Sequence, residues 1–308
     1  MLIPILVLMC FIFLCVILAM YIIYSIYSMI INYFFRKNNK ISYNVLLKNY
    51  IQNVSKNNYF MNYGLWDDKI NDLAEANKNL INFVFKKSEL VDKPNLNILD
   101  VGCGYGEQDI EWLKLLDKSC KITAIDISEE QMYNAMKKNS DVDFDICDAG
   151  YIGLKYKNKL FDRIISLESA FHYSERNVFF KNVNSLLKDN GKFIITDIML
   201  NNLYHENIIN KIFLYFFSDM LSIPEQNLIT SNEWDNQLSS ELNVEESIDI
   251  TDQTFNPYYR HFMTNYFKNK NCPDWVGNAL SAFFCSNQPF VYKVVVCTKK
   301  ISNIDVAN

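Results

Sequence analysis

Three of the chain's eight glycines fall within five residues, at 102, 104 and 106, between a short apolar run and a helical one. Glycines at a strand-to-helix junction let the backbone pass close beneath a ligand and adopt turns that side chains forbid. The flanking pattern fits such a junction. Asp72–Leu90 carries Leu73, Leu80, Phe83 and Val84 at helical spacing, and Leu96–Val101 is a short apolar strand. Gln108–Leu116 reads as the helix after the loop and Ile122–Ile127 as the second strand. Ser128, with Gln131 three residues on, predicts a capping box at the next helix. Val142–Cys147, Leu160–Leu167 and Lys192–Met199 give the third, fourth and fifth strands, the last introduced by the Asp189-Asn190-Gly191 turn. Strands and helices alternating at this interval predict an α/β, doubly wound, parallel sheet. Beyond Met199 the alternation stops, and 200–240 reads as an inserted helical section with a strongly apolar helix near Ile208–Leu221. Core packing and a cover over a substrate both account for that helix. Val244–Ile250 and Phe290–Cys297 are later strands.

The loop itself excludes two nucleotide motifs. Position 107 is Glu, so the third glycine comes one residue early for the nicotinamide G-x-G-x-x-G, and no Gly-Lys-Ser/Thr follows for a P-loop. Asp100-Val101-Gly102-Cys103-Gly104-Tyr105-Gly106 instead resembles the first motif of class I S-adenosylmethionine-dependent methyltransferases, (Asp/Glu)-x-Gly-x-Gly-x-Gly. The resemblance covers roughly 59–299 and is to the subgroup acting on sugars, tocopherols and sterols. It implies a Rossmann-like, mostly parallel seven-stranded sheet with a helical insert after the fifth strand, and S-adenosylmethionine as cofactor. It further implies that Asp100, Gly102, Gly104 and Gly106 cradle the cofactor. Asp126, with Ile127 beside it, is then the acid for the ribose hydroxyls, where a carboxylate accepts two strong bonds. Asp148 and Ala149 take the adenine amino position, and Glu168 the methionine end or a nearby loop. Tyr63, with Tyr59 and Trp66, resembles the aromatic N-terminal lid of small-molecule members; packing of the first helix explains these rings equally well.

The fourth strand runs into Glu168-Ser169-Ala170-Phe171-His172, which resembles the Glu-(Ser/Ala)-x-x-His signature of that subgroup. Transfer to a hydroxyl requires alignment and removal of a proton. His172, one of three histidines, is the candidate base, since an unperturbed imidazole titrates near pH 6.5. Asp197, ending the fifth strand, is the second catalytic candidate. Ile223-Pro224-Glu225, Asn227, Glu233-Trp234 and Leu238 resemble the insert that covers the acceptor pocket in such enzymes. Leu242-Asn243-Val244 stands where a Gly-Phe pair is common, a change confined to a turn.

No charged side chain occurs between Met1 and Phe35. About 20 residues suffice to span a bilayer as helix, so this stretch predicts a single transmembrane anchor. A cleaved signal peptide fits poorly, because no Lys or Arg precedes the run and no small-x-small site follows it. Arg36, Lys37, Lys40, Lys48 and Lys56 follow, placing the C-terminal side in the cytosol by the positive-inside rule. The net charge of −5 thus divides into +5 up to residue 66 and −10 beyond it, which argues against nucleic acid as a partner. The eight cysteines are scattered without C-x-x-C, giving neither a disulfide framework nor a metal-ligand spacing.

The expected organisation is a transmembrane anchor over 1–35, a basic juxtamembrane segment over 36–58, a methyltransferase domain over 59–300, and a tail over 301–308. The expected activity is methylation of a small or lipid-like acceptor at oxygen or carbon. The alternatives are an amine or protein acceptor, or a catalytically silent membrane scaffold of the same fold.

Overall fold

The computed structural model describes residues 59–204, 221–268 and 274–301, with residues 210, 211, 214, 215 and 218 between the first two stretches. The chain divides into two units, Met1–Asn53 and Val54–Asn308, and the described residues all belong to the second. The expected anchor over 1–35 and the basic segment over 36–58 lie outside the described residues. So do most of the apolar helix expected near Ile208–Leu221 and all but the first residue of the tail. Among the described residues no helix is long and apolar enough to cross a membrane.

In chain order the elements are α1 (Leu73–Lys87), β1 (Asn97–Val101), α2 (Glu107–Leu113), β2 (Lys121–Asp126), α3 (Glu129–Lys138) and β3 (Asp143–Ile146). The short α4 (Ile152–Lys155), β4 (Phe161–Leu167), α5 (Arg176–Leu186) and β5 (Leu187–Leu200) follow. Last come α6 (Ser231–Glu241), β6 (Leu242–Asp249), α7 (Thr251–Lys268), α8 (Asp274–Asn287) and β7 (Phe290–Lys299). The strands form one seven-stranded sheet in the order β3-β2-β1-β4-β5-β7-β6. Pairs among β1 to β5 are parallel, and β7 enters antiparallel between β5 and β6. The mostly parallel sheet therefore matches the expectation, with its antiparallel part confined to one edge.

β1 and β4 are covered on both faces, as central strands of a parallel sheet are. Every residue of β1 after Asn97 and every residue of β4 but Asp162 is buried, with Asp100, Arg163 and Ser166 as their buried polar members. Alternate residues of β5 feed two separate cores: Ile194, Ile198 and Leu200 pack with Leu80, Val84 and Ile98 of one face. Phe193, Ile195 and Met199 pack with Phe179, Phe180 and Trp234 of the other. Strand order reverses between β1 and β4, so the carboxyl ends of these strands open onto the crevice where such sheets bind ligands.

Helix starts follow their caps. Asp72 accepts from the amides of Ala74 and Glu75 at the start of α1. At α3 only half of the expected capping box forms: Ser128 Oγ accepts from the Gln131 amide at 3.4 Å. Gln131 is buried, its Oε1 lying toward Gly104 instead of reaching back to Ser128. The complete box is at α6, where Thr230 and Glu233 satisfy each other's backbone amides.

Candidate active site

The loop after β1 is shaped by what its glycines make room for. Gly102 has φ +80°, and a Cβ there would sit 2.3 Å from Ser169 Cβ. Its missing side chain lets the loop after β4 close onto β1: Ser169 Oγ and Tyr173 OH both donate to the Val101 carbonyl, at 2.9 and 3.0 Å. Gly104, at φ +58°, differs. A Cβ there would meet only Gln131 Oε1 and Met61 Cγ, both at 3.8 Å, an ordinary contact distance, so the loop has room above this backbone that Gly102 lacks. Gly106 is the N-cap of α2 and packs against Phe144.

Asp126 ends β2 and braces this loop. Its Oδ2 accepts from the Gly104 amide at 3.0 Å and its Oδ1 from the Ser128 amide at 2.9 Å. Burial raises its pKa, and these backbone bonds oppose that rise. Ile127 beside it is 67% exposed, an apolar side chain left uncovered at a strand end. Asp148 caps the short turn after β3, its Oδ1 accepting from the Gly150 amide at 2.7 Å, and Ala149 next to it is buried.

Asp100 is fully buried beneath the loop and accepts from Gln108 Nε2 at 2.7 Å. Close by, Asp109 is also fully buried. No donor reaches Asp100 Oδ1 or either oxygen of Asp109 while both acids are ionised. The pair is satisfied only when one carboxyl is protonated and donates to the other. Burial accordingly pushes Asp100 up to about 7 and Asp109 well above the usual carboxylate range. Sequence reading missed Asp109, because an acid in the first turn of a helix ordinarily faces solvent.

Glu168 follows β4 at φ +50°, a left-handed conformation that costs a non-glycine residue about 1–3 kcal/mol. Several bonds hold it there. Its amide donates to Thr196 Oγ1 at 2.7 Å, and its Oε1 accepts from the Tyr63 amide at 2.8 Å and Tyr292 OH at 2.5 Å. Burial pushes its pKa up to about 8 against these bonds. Glu168 thereby ties the N-terminal segment and β7 to the end of β4. The Tyr63 ring packs edge-on against Phe255 and Tyr258, at 5.1 and 4.7 Å. Trp66 is buried with Leu73 and Ala76, so packing of the first helix accounts for that ring.

His172 closes the 3-10 turn Ala170–His172 and is half-buried. Its Nδ1 lies 3.2 Å from the Ser222 carbonyl. A carbonyl only accepts, so Nδ1 carries the proton of the neutral ring and Nε2 the lone pair. Burial, the larger influence, lowers the His172 pKa, while the bond to Ser222 opposes it.

Asp197 is not brought to this group. It lies on the face of β5 opposite Thr196, fully buried, with Oδ2 paired to Arg176 Nη1 at 3.1 Å and to Trp234 Nε1 at 2.6 Å. Its Oδ1 accepts from the Ile198 amide. Arg176, Trp234 and Asp197 form a polar tie between α5, α6 and β5. The sequence placed Asp197 at a strand end, but the period of two along β5 turns its side chain into the helix layer.

Residues 92–243 match the family profile described as a methyltransferase domain. The chain is 31% identical over 144 residues to the erythromycin 3''-O-methyltransferase of Saccharopolyspora erythraea, covering 46% of each protein. It is 30% identical over 146 residues to the 27-O-demethylrifamycin SV methyltransferase of Amycolatopsis mediterranei, covering 46% of this chain and 52% of that one. The chain thus spans about half the length of the curated relatives it matches. Its fold is similar to that of the geranyl diphosphate C-methyltransferase of Streptomyces coelicolor A3(2), solved with Mg2+, geranyl-S-thiolodiphosphate and S-adenosyl-L-homocysteine. That similarity has a TM-score of 0.59 at 13% identity and covers 78% of this chain and 88% of that one.

Proposed function

We propose, from the match of residues 92–243 to a methyltransferase-domain profile, that the chain uses S-adenosylmethionine to methylate a small or lipid-like acceptor at oxygen or carbon. The observation that carries this reading is the Gly104 backbone, part-exposed at the strand-order reversal, uncrowded above and held by Asp126 through its amide. The Asp126 carboxylate accepts from the amides of Gly104, Ser128 and Ile127, and its two oxygens together offer about four acceptor sites, so capacity remains for a ribose hydroxyl. Ile127 offers an uncovered apolar face for a flat ring, and Asp148 an acceptor for an exocyclic amine. The residues present therefore fit the cofactor.

When bound, S-adenosylmethionine supplies an electrophilic methyl carbon on a sulfonium. The protein's part is alignment, exclusion of water and handling of the acceptor's proton. His172 Nε2 takes up the proton that an acceptor hydroxyl releases, because Nδ1–H is committed to the Ser222 carbonyl. Burial keeps the ring neutral at pH 7, the form a base requires. Asp197 stays outside this chemistry and holds the layers together.

The uncharged run over 1–35 supports an anchor in a membrane, and the five cations after it support a cytosolic catalytic domain. An acceptor that resides in or is made at a membrane suits that arrangement. Protease added to the cytosolic face of sealed membranes is expected to digest the domain. Glycans on the sequon Asn53-Val54-Ser55 would overturn the orientation. For the reaction, methyl-labelled S-adenosylmethionine is incubated with small-molecule and lipid extracts. Label in an organic-soluble product supports the reading, and failure to label any product in extracts that contain the chain's own membranes contradicts it.

A further inference from the structure

The segment Ser222–Asn227 grips the loop that carries His172 from both sides. Asn227 is only 3% exposed, and its Nδ2 donates to the carbonyls of Phe171 at 3.0 Å and Tyr173 at 2.7 Å. These two carbonyls flank His172 in sequence, so one amide group spans the residue. Both acceptors are carbonyls, so the amide can engage them only through its N–H bonds. Gln226 Nε2 adds a bond to the Ser174 carbonyl at 2.9 Å. In the opposite direction the ring of His172 reaches the Ser222 carbonyl. Ser222 sits at φ +51°, and the next amide, Ile223, donates to Ser218 at 2.8 Å. Asn227 N–H closes onto the Pro224 carbonyl at 2.9 Å, so the segment is internally braced. Ile223 is buried in the core on the α1 face of the sheet, and the Leu200 amide donates to Ile229 at 2.8 Å, fixing the segment to the sheet.

We infer that Asn227 is a positioning residue: it holds the turn Ala170–His172 at the distance where Ser222 accepts from Nδ1, and so sets the tautomer that leaves the lone pair on Nε2. The inference rests on the reading of His172 as the base, which it deepens. A buried amide serving two backbone carbonyls cannot be dropped without leaving both unsatisfied, and the loop then moves to regain partners. A displacement of about 1 Å at a reacting group costs on the order of 10²-fold in rate.

The test is nitrogen-15 NMR of the histidine rings in the full chain, with His172→Gln identifying the His172 signals among the three histidines. In the parent, Nδ1 is expected to show a protonated-type shift and Nε2 a lone-pair-type shift at pH above the ring's titration. Asn227→Ala is expected to mix the two tautomers, to lower kcat by about 10²-fold and to leave S-adenosylmethionine affinity within about twofold. Asn227→Ser, which keeps one donor, is expected to fall between parent and Ala and serves where Ala does not fold. An Nε2-protonated parent, or a folded variant with the parent's tautomer, overturns the inference whatever the turnover. A His172→Gln variant with the parent's rate removes His172 as base instead, and leaves the tautomer result to be judged by itself.

Discussion

On one side of the strand-order reversal, the groups that shape the surface come from nearby sequence and largely from backbone. The Gly104 amide is answered by Asp126, which also takes the Ser128 amide, and the Gly102 amide by the Ile125 carbonyl, all within 27 residues. The side chain that comes from farther away is Ser169, packed on Gly102. On the other side, the groups around His172 and Glu168 come from far away. Tyr292 reaches Glu168 across 124 residues, Tyr63 across 105, and Asn227 reaches Phe171 across 56. A cradle for a constant ligand can be written as a short motif in a rigid turn. On the side proposed for the acceptor, the contacts come from the insert, the N-terminal segment and the last strand, which can change without disturbing the cradle.

The sharpest break between the two halves is expected from His172→Asn. Turnover falls by about 10²–10⁴-fold with cofactor affinity nearly unchanged, measured by steady-state rates beside calorimetry. The parent's rate is expected to rise with pH through a pKa below the ordinary histidine value of 6.5, because burial disfavours the imidazolium, and the variant loses that limb. The same depressed pKa means that His172 contributes stability above pH 6.5 that is lost as pH falls through the folded value.

Next in size are changes to packing. Asp197→Asn leaves Arg176 as a buried unpaired cation and is expected to cost about 3–5 kcal/mol in denaturant unfolding, with the cofactor affinity of the folded fraction intact. Gly102→Ala and Gly104→Ala separate the two roles of the glycine loop. The first drives a methyl into Ser169 at a left-handed φ and is expected to cost about 3–5 kcal/mol of stability. The second costs only the backbone term, about 1–2 kcal/mol, but places its methyl in the cradle and weakens cofactor binding.

The smallest effect comes from the acid pair beneath the loop. With folded pKa values raised, its contribution to stability is complete below about pH 4 and is lost as pH rises through about 7. Asp109→Asn mimics the protonated acid and donates to Asp100 permanently. Its denaturation midpoint is expected to exceed the parent's at pH 8 and to equal it near pH 4. A midpoint difference independent of pH would break the assignment of a shared proton.

These contrasts also explain what could be read from the chain alone. The strand–glycine–helix junction, the five parallel strands and Asp126 were legible because their signals are local: apolar runs, a turn and an acid at a strand end. The antiparallel entry of β7 between β5 and β6 was not, since nothing in Phe290–Cys297 names its neighbours. Asp197 looked like a pocket residue because its position along the strand was right, while the face it occupies depends on register with α5 and α6. Asn227 was visible as part of the insert, but its two carbonyl partners belong to a loop placed against it only by folding. Glu168 was assigned to the cofactor end or a nearby loop, and the bonds it makes are to Tyr63 and Tyr292.

Titration calorimetry with S-adenosylmethionine tests the central claim most directly. The parent chain is expected to bind, and Asp126→Ala to bind about 2–3 kcal/mol more weakly, roughly 30- to 150-fold, through loss of charge-assisted bonds and of the brace on Gly104. A parent that does not bind, or equal affinity in the parent, Asp126→Ala and Gly104→Ala, would contradict it.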